Sequence, residues 1–456
     1  HLSTDTSRDG VKRAQSLARS FPSYERLRDS LLRRLSAPGC GISGAFKGKD
    51  AALAILAPTH PGGGTAGSLV LVDTGKDHPG SREHTCGLVS ARYVGRYLAI
   101  GQPQTLGDAV ALAAGKGRSL ATDPLYRQAS KGLPDDRVID AFASAAGVRD
   151  LLAPQTGLLG AVGALLDRPG LRGVAASLSA DDPGAKIVLR TITTGKGGGG
   201  FRPFHPALQS AIPKSAFAYL GVSDVGGAAK RLLGALSAGS GGGGTAGALA
   251  GLLQRAKAQL DREAGGRLTR DVLSLFKGEV AVALTPAVPA PVLTIVAHTR
   301  SDAATSAALG ALRAPLARLL TAPGASAPTW RAQTIAGTQA YLLRLAPGIQ
   351  IAYAVFGGKL VIATQPSGIA AVRRASAGGI GATDEYKQVV GAPGGRVTSV
   401  LFLDFHQLLR LGEETGLGAS AAYQSFKGDL EKVRAVGAHS SGAGDESTAE
   451  ILLSIP

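Results

Sequence analysis

Histidines, cysteines and paired acids are the residues in this chain whose types could do chemistry. His60, His78 and His84 fall with Cys86 in one 27-residue stretch, and imidazole and thiolate are good ligands for zinc. Their spacings are irregular and lie largely among Gly and Pro, which reads as a polar loop rather than a metal centre. Cys86 also has a rival use. It and Cys40 are the 2 cysteines of the chain, and a disulfide closing the loop between them would contribute roughly 3–4 kcal/mol by restricting the unfolded chain. Such a pair fits an exported protein.

Asp404 and His406 flank Phe405 where a strand gives way to a helix. Residues i and i+2 do not converge on one face at such a junction, so Asp404 reads as a helix N-cap and not as half of an acid–base pair. Asp135-Asp136 and Glu413-Glu414 read as solvated pairs, and Trp330 and Tyr353 as packing aromatics. Lys76, Lys116 and Lys196 follow glycines without completing a phosphate-binding loop. Neither Gly-x-Ser-x-Gly, His-Glu-x-x-His nor Cys-x-x-Cys occurs. The one site assignment is therefore Cys40 with Cys86; no catalytic, cofactor-binding or metal residue is expected.

The elements that would position any site follow from composition and pattern. With 456 residues, 44% hydrophobic and 18% charged, collagen-like and wholly disordered chains are excluded. No uncharged apolar run reaches the ~18 residues that a membrane-spanning helix needs. Glycine, at 64 residues, is about twice its usual share of roughly 7%. The net charge of +16 could draw nucleic acid or anionic lipid, but the excess is spread along the chain. Lys12-Arg13 and Arg33-Arg34 sit in helical periodicity, as solvated faces, and no nucleic-acid partner is expected.

An internal repeat is the strongest signal. Phe46-Lys47-Gly48 matches Phe276-Lys277-Gly278, and Ser68–Val72 matches Val292–Val296. Tyr97–Ile100 matches Lys359–Ile362, each followed by Gln-Pro, and Ala121-Thr122-Asp123 with Tyr126 matches Ala382-Thr383-Asp384 with Tyr386. Pro134 with Arg137-Val138 and Thr156-Gly157-Leu158 find partners at Pro393, Arg396-Val397 and Thr415-Gly416-Leu417, all in the same order. His1–Asp5 matches only the end of the segment Ala216–Asp224, so the opening strand of the first copy is expected to be cut short, with any signal or anchor lost before His1.

In the second copy, strands are expected at 216–222, 279–284, 291–298, 329–335, 339–345, 349–356, 358–364 and 396–403, with a closing hairpin. Helices are expected near 224–238, 246–276, 301–320, 366–376, 384–391 and from about 404. Pro315 should kink or interrupt the helix begun at Ser301-Asp302. Gly357-Gly358 is a two-residue hairpin turn. The fold class is α+β: two tandem-duplicated domains, each a mainly antiparallel sheet covered by helices. The first repeat domain covers 1–200 and the second 213–456. A linker, 201–212, carries a Phe/Pro segment expected to pack across the junction.

The Ser20-Phe21-Pro22 helix end, the Phe-Lys-Gly strand openings, the Lys359–Gln365 strand, the Tyr386-Lys387-Gln388 helix and the terminal hairpin resemble a group of actinobacterial-type envelope proteins catalogued as a domain of unknown function. The resemblance implies an exported protein, typically behind a single N-terminal membrane segment, with no activity to carry over. The expected function is non-catalytic: an extracytoplasmic interaction or assembly protein acting through the surfaces of two similar domains. A carrier of an apolar or lipid-like ligand and a hydrolase with an unrecognised site are the alternatives. A protein partner or self-assembly is expected, with membrane contact only through a segment before His1.

Overall fold

In a computed structural model the described residues are 1–35, 50–56, 67–79, 82–87, 89–152, 166, 170–182, 184–194, 202–223, 275–276, 278–288, 290–319, 328–346, 349–375, 378–391, 395–414 and 416–456. The first half carries strands β1 (Ala51–Leu56), β2 (Gly67–Asp73), β3 (His84–Cys86), β4 (Val89–Val94), β5 (Tyr97–Gly101), β6 (Ile139–Ser144), β7 (Leu171–Asp181) and β8 (Gly184–Thr193). The second carries β9 (Ala218–Val222), β10 (Val280–Thr285), β11 (Val292–His298), β12 (Trp330–Ile335), β13 (Thr338–Ala346), β14 (Ile349–Phe356), β15 (Lys359–Ala363), β16 (Ser399–Asp404), β17 (Ala435–Ala443) and β18 (Glu446–Ser454).

These strands form a five-stranded sheet, β1-β2-β5-β4-β3, and a thirteen-stranded sheet, β12-β13-β14-β15-β11-β10-β9-β16-β17-β18-β8-β7-β6. Pairing is antiparallel along both, including the β18–β8 seam that joins the two halves of the chain. Leu2 makes isolated bridges to both Ile139 and Ala51. One residue thus spans the space between β6 of the large sheet and β1 of the small one. The fold is α+β with antiparallel sheets, as the pattern of elements requires.

The helices are α1 (Asp9–Arg19), α2 (Tyr24–Leu35), α3 (Pro103–Ala113), α4 (Pro124–Ser130), α5 (Ala145–Gly147), α6 (Asp302–Leu319), α7 (Pro366–Arg373), α8 (Asp384–Val389), α9 (Phe405–Glu414) and α10 (Ala421–Leu430). On one face of the large sheet, Ile369 of α7 and Val389 of α8 join Val296, Val361, Phe402, Leu208 and Ile212 in the main core. Each fully buried Ile or Leu there contributes about 1.5–3 kcal/mol. Alanines at 281, 283, 340, 352, 354 and 363 line the same core and let the helices come close. Gly437 takes this furthest: a methyl there would stand 2.3 Å from the Val389 carbonyl oxygen, so α8 rests directly on β17. On the opposite face Leu309 of α6 packs on Tyr353 and Leu360, whose strand neighbours Ala354 and Val361 face the main core. Among the described residues no helix is long and apolar enough to cross a membrane.

Two expectations are corrected. Helix α6 runs through Pro315 without interruption, because Leu309 and Leu312 before it and Ala317 after it are all buried, and packing holds the helix across one missing N–H. The Phe/Pro segment does not pack across the junction. Phe204 pairs with Val397 and is buried with Leu208 and Ile212 in the core of the second half. Gly357 and Gly358 have φ of +56° and +72°, the left-handed pair that a tight hairpin turn demands. The helices expected over 224–238 and 246–276 fall almost wholly outside the described residues.

Gly184, opposite Ser454, has no room for a side chain, since a methyl would stand 2.1 Å from the Leu453 carbonyl oxygen. Gly184→Ala should therefore lower unfolding stability in urea by about 2 kcal/mol or more. The same change at Gly310 in α6, where a methyl meets nothing within 4 Å, should raise it by about 0.5–1 kcal/mol. Equal effects at the two sites would contradict this account of the seam.

Candidate functional site

The residues singled out by the sequence go mostly to structural work. The Cys40–Cys86 pairing lies outside the described residues, as does His60. His78 stacks on Tyr93 with ring centres 4.0 Å apart, and His84 lies on β3 opposite Ala91. Among the described residues no three His, Cys, Asp or Glu are placed to hold a metal ion. Asp404 caps α9, accepting the Gln407 N–H at 3.0 Å and the Gln407 side-chain amide at 2.6 Å. The His406 N–H donates to the Arg434 carbonyl. Trp330 and Tyr353 pack around an arginine of the chain itself: Arg313 lies 3.4 Å over the Tyr341 ring and donates to the Tyr353 hydroxyl at 2.7 Å. The Trp330 indole donates to the Arg313 carbonyl at 2.9 Å.

One expectation about the acids fails. Glu413 is not simply solvated, because α10 brings Lys427 to 2.8 Å and the Tyr423 hydroxyl to 2.5 Å. Those two donors, Lys427 first, hold its carboxyl below the usual range. Asp136 lies 3.7 Å from Arg13, and the Asp135 carbonyl accepts from Arg8.

The sequence reading missed Glu279. It stands at the start of β10 with its side chain only 3% exposed. One oxygen accepts the Ala207 N–H at 2.8 Å, both lie 3.1 Å from the Leu208 nitrogen, and the Tyr219 hydroxyl donates at 3.4 Å. The carboxylate thus caps the 3-10 turn Leu208–Ser210 and pins it to the sheet. Burial pushes its pKa up, and the two backbone N–H groups and Tyr219 pull it partly back. Tyr219 and Tyr386, edge to face at 6.1 Å, are both raised, chiefly by burial. His298 approaches to 3.9 Å on the exposed side. A raised carboxylate beside His and Tyr is a pattern used for proton transfer, but both oxygens here are engaged by the turn they cap.

A second polar cluster lies across the seam. Ser177, Val188, Glu450 and His439 form one cross-strand row over β7, β8, β18 and β17. Beside it Lys186 meets Glu450 at 2.7 Å and Arg190 meets Glu446 at 2.9 Å. Gln128 of α4 donates to Glu446 at 3.0 Å. The Ser177 hydroxyl, Arg190 Nε and His439 Nδ1 are buried without a hydrogen-bond partner. Burial lowers the pKa of His439, and Glu450 opposes it. Ser, His and Glu share the row, but Ser177 and His439 stand three strand spacings apart, roughly 14 Å, too far for a nucleophile–base relay. What the cluster can do is hold the halves in register. Beside α1 an open surface depression of about 440 Å³ is lined by Thr6, Lys12, Gln15, Ser16 and Arg19.

Fold and clusters define an α+β protein whose polar groups cap turns and tie strands together. The chain belongs to the DUF3352 family, described as a protein of unknown function, whose pattern matches residues 71–453. No curated protein matches it, and no solved structure does.

Replacing Glu279 with Ala strands two backbone N–H groups and should cost about 2–4 kcal/mol in urea unfolding; Gln, which keeps one acceptor, should cost less than half of that. Because burial raises the folded-state pKa, ionisation of Glu279 opposes folding. Its contribution is fully present below the unfolded pKa and declines as pH rises toward the folded one. Glu279→Gln should accordingly gain on the wild type as pH is raised through that interval. A gap between the two that stays constant with pH would refute the burial assignment.

Proposed function

We propose that this protein is a non-catalytic, extracytoplasmic interaction or assembly protein acting through the surfaces of two similar domains that arose by tandem duplication. The observation that carries the reading is the path of the sheet. From β4 the first half runs β4-β5-β2-β1, then Leu2, then β6-β7-β8; the second runs β14-β15-β11-β10-β9-β16-β17-β18. The two last strands, β8 and β18, pair with Val188 opposite Glu450, each the fifth residue of its strand. That register is self-complementary, as in an isologous interface between like units. Two related faces joined through the β8–β18 pairing suit bridging or head-to-tail assembly.

The work done by the buried Glu279 and the part-buried Asp404 and Arg313 supports the non-catalytic part: the two acids cap turns, and Arg313 is packed among aromatic rings. The extracytoplasmic part, with export and an envelope location, rests on the pair of cysteines and on the resemblance to exported proteins.

Native mass spectrometry of protein from its source tests the assembly reading. A defined oligomer of bare chains is the expected result; a monomer carrying a reproducible extra mass would favour a carrier instead. Thiol alkylation of the same sample, denatured without reductant, should label neither Cys40 nor Cys86, and both after reduction. Two labels without reductant would remove the argument for export.

A further inference from the structure

Strand β12 ends the thirteen-stranded sheet, and its outer flank is open. Among the described residues it pairs only with β13. Arg331, Ala332, Gln333 and Thr334, in unbroken succession, are exposed. Successive residues of a strand point to opposite faces, so neither face of β12 is covered over this run.

The hairpin turn fixes which backbone groups are free. Ile335 stands opposite Thr338 across Ala336-Gly337, whose φ of +47° and +75° suit a two-residue type I′ turn. In such a hairpin the pair beside the turn is hydrogen-bonded, and bonded and non-bonded pairs then alternate. Ile335, Gln333 and Arg331 therefore direct their N–H and C=O groups at β13, while Thr334, Ala332 and Trp330 turn theirs outward. Sheets commonly blunt such an edge with lysine, proline or a bulge. Here Arg331 is the single charge between Trp330 and Ile335, and no proline interrupts them. Pro328, two positions before Trp330, has no N–H and marks where outward pairing stops.

We propose that the outer edge of β12 is a self-association surface, and that its occupant is β12 of a second copy of this chain, antiparallel across a two-fold axis at Ala332. The proposal rests on the assembly reading above and gives that assembly its surface. The sequence selects the register. A residue that turns its groups outward bonds only with another that does so. Setting Ala332 opposite Ala332 joins all three outward residues, with Trp330 opposite Thr334 on either side of the axis. Arg331 then stands opposite Gln333, so the one charge of each strand meets an amide. Setting the axis at Arg331 would place like charges directly opposite, which is destabilising, and setting it at Gln333 would leave Trp330 without a partner. A contact of this isologous kind closes on a dimer.

Sedimentation velocity of the full chain over a concentration series tests this. The wild type should form a dimer. Ala332→Pro removes an outward N–H that β13 does not use, and should abolish the dimer with little change in the thermal midpoint. Gln333→Glu sets a carboxylate opposite each Arg331 and should tighten the dimer about fivefold; Gln333→Lys sets like charges there and should weaken it by about as much. An oligomer that ignores all three substitutions overturns the surface and leaves the assembly reading standing, whereas a wild type that stays monomeric overturns both. Species that grow beyond the dimer with concentration overturn the two-fold pairing.

Discussion

A β-strand carries hydrogen-bonding groups along both edges, and the architecture of this molecule follows from how each edge is met. Antiparallel pairing continues from β12 across both halves to β6, because β8 and β18 close each other's edges over nine residue pairs. Helices then have one continuous floor to cover. Glu279 serves the same end by satisfying the backbone of the 204–212 segment, which would otherwise lie in the core with two buried donors unmet.

Helix and sheet come close in both halves of the chain, by different residues. In the first half Thr105 of α3 sits over Gly67 and Gly101, where added methyls would come within 2.3 and 2.8 Å of it. In the second half the helix residue is Gly368, and the strands carry Val292 and Ala363; a methyl on Gly368 would come within 3.0 and 2.7 Å of them. The bulk lies on the helix in one case and on the strands in the other, and both contacts are close-packed. The residues just after these, Leu106 and Ile369, are both buried to 1% or less.

Much of the element order was legible in the sequence, from the β13–β15 meander to the Gly357-Gly358 turn, because alternation and glycine pairs are local signals. Register was not. Matching Ser68–Val72 to Val292–Val296 is one residue off the ladders, which put Asp73 opposite Tyr97 and His298 opposite Lys359 and so equate Leu69 with Thr294. Both faces of these strands are packed, so an apolar run carries no mark of which residue faces which way. Capping slipped similarly: the side chain that accepts the Tyr126 N–H is Asp123, but Tyr386 is served by Thr383 rather than Asp384. Asp404 was readable as a cap, and its counterpart at the end of β6 is Ser144, which accepts the Gly147 N–H. Glu279 was invisible because the N–H groups that it caps lie more than 70 residues away in sequence.

Charge explains why β8 chooses β18 and not its own copy on another chain. The seam face of β8 carries Lys186 and Arg190; that of β18 carries Glu446 and Glu450. Paired in the same self-complementary register with a second β18, Glu450 would face Glu450; a second β8 would set Lys186 against Arg190. Like charges directly opposite on a sheet are destabilising. These part-buried ion pairs give up hydration in forming, so their effect is as much selective as stabilising. They leave the joining of these two edges favourable in one combination only, β8 with β18, and that selectivity keeps either edge from pairing with its own copy.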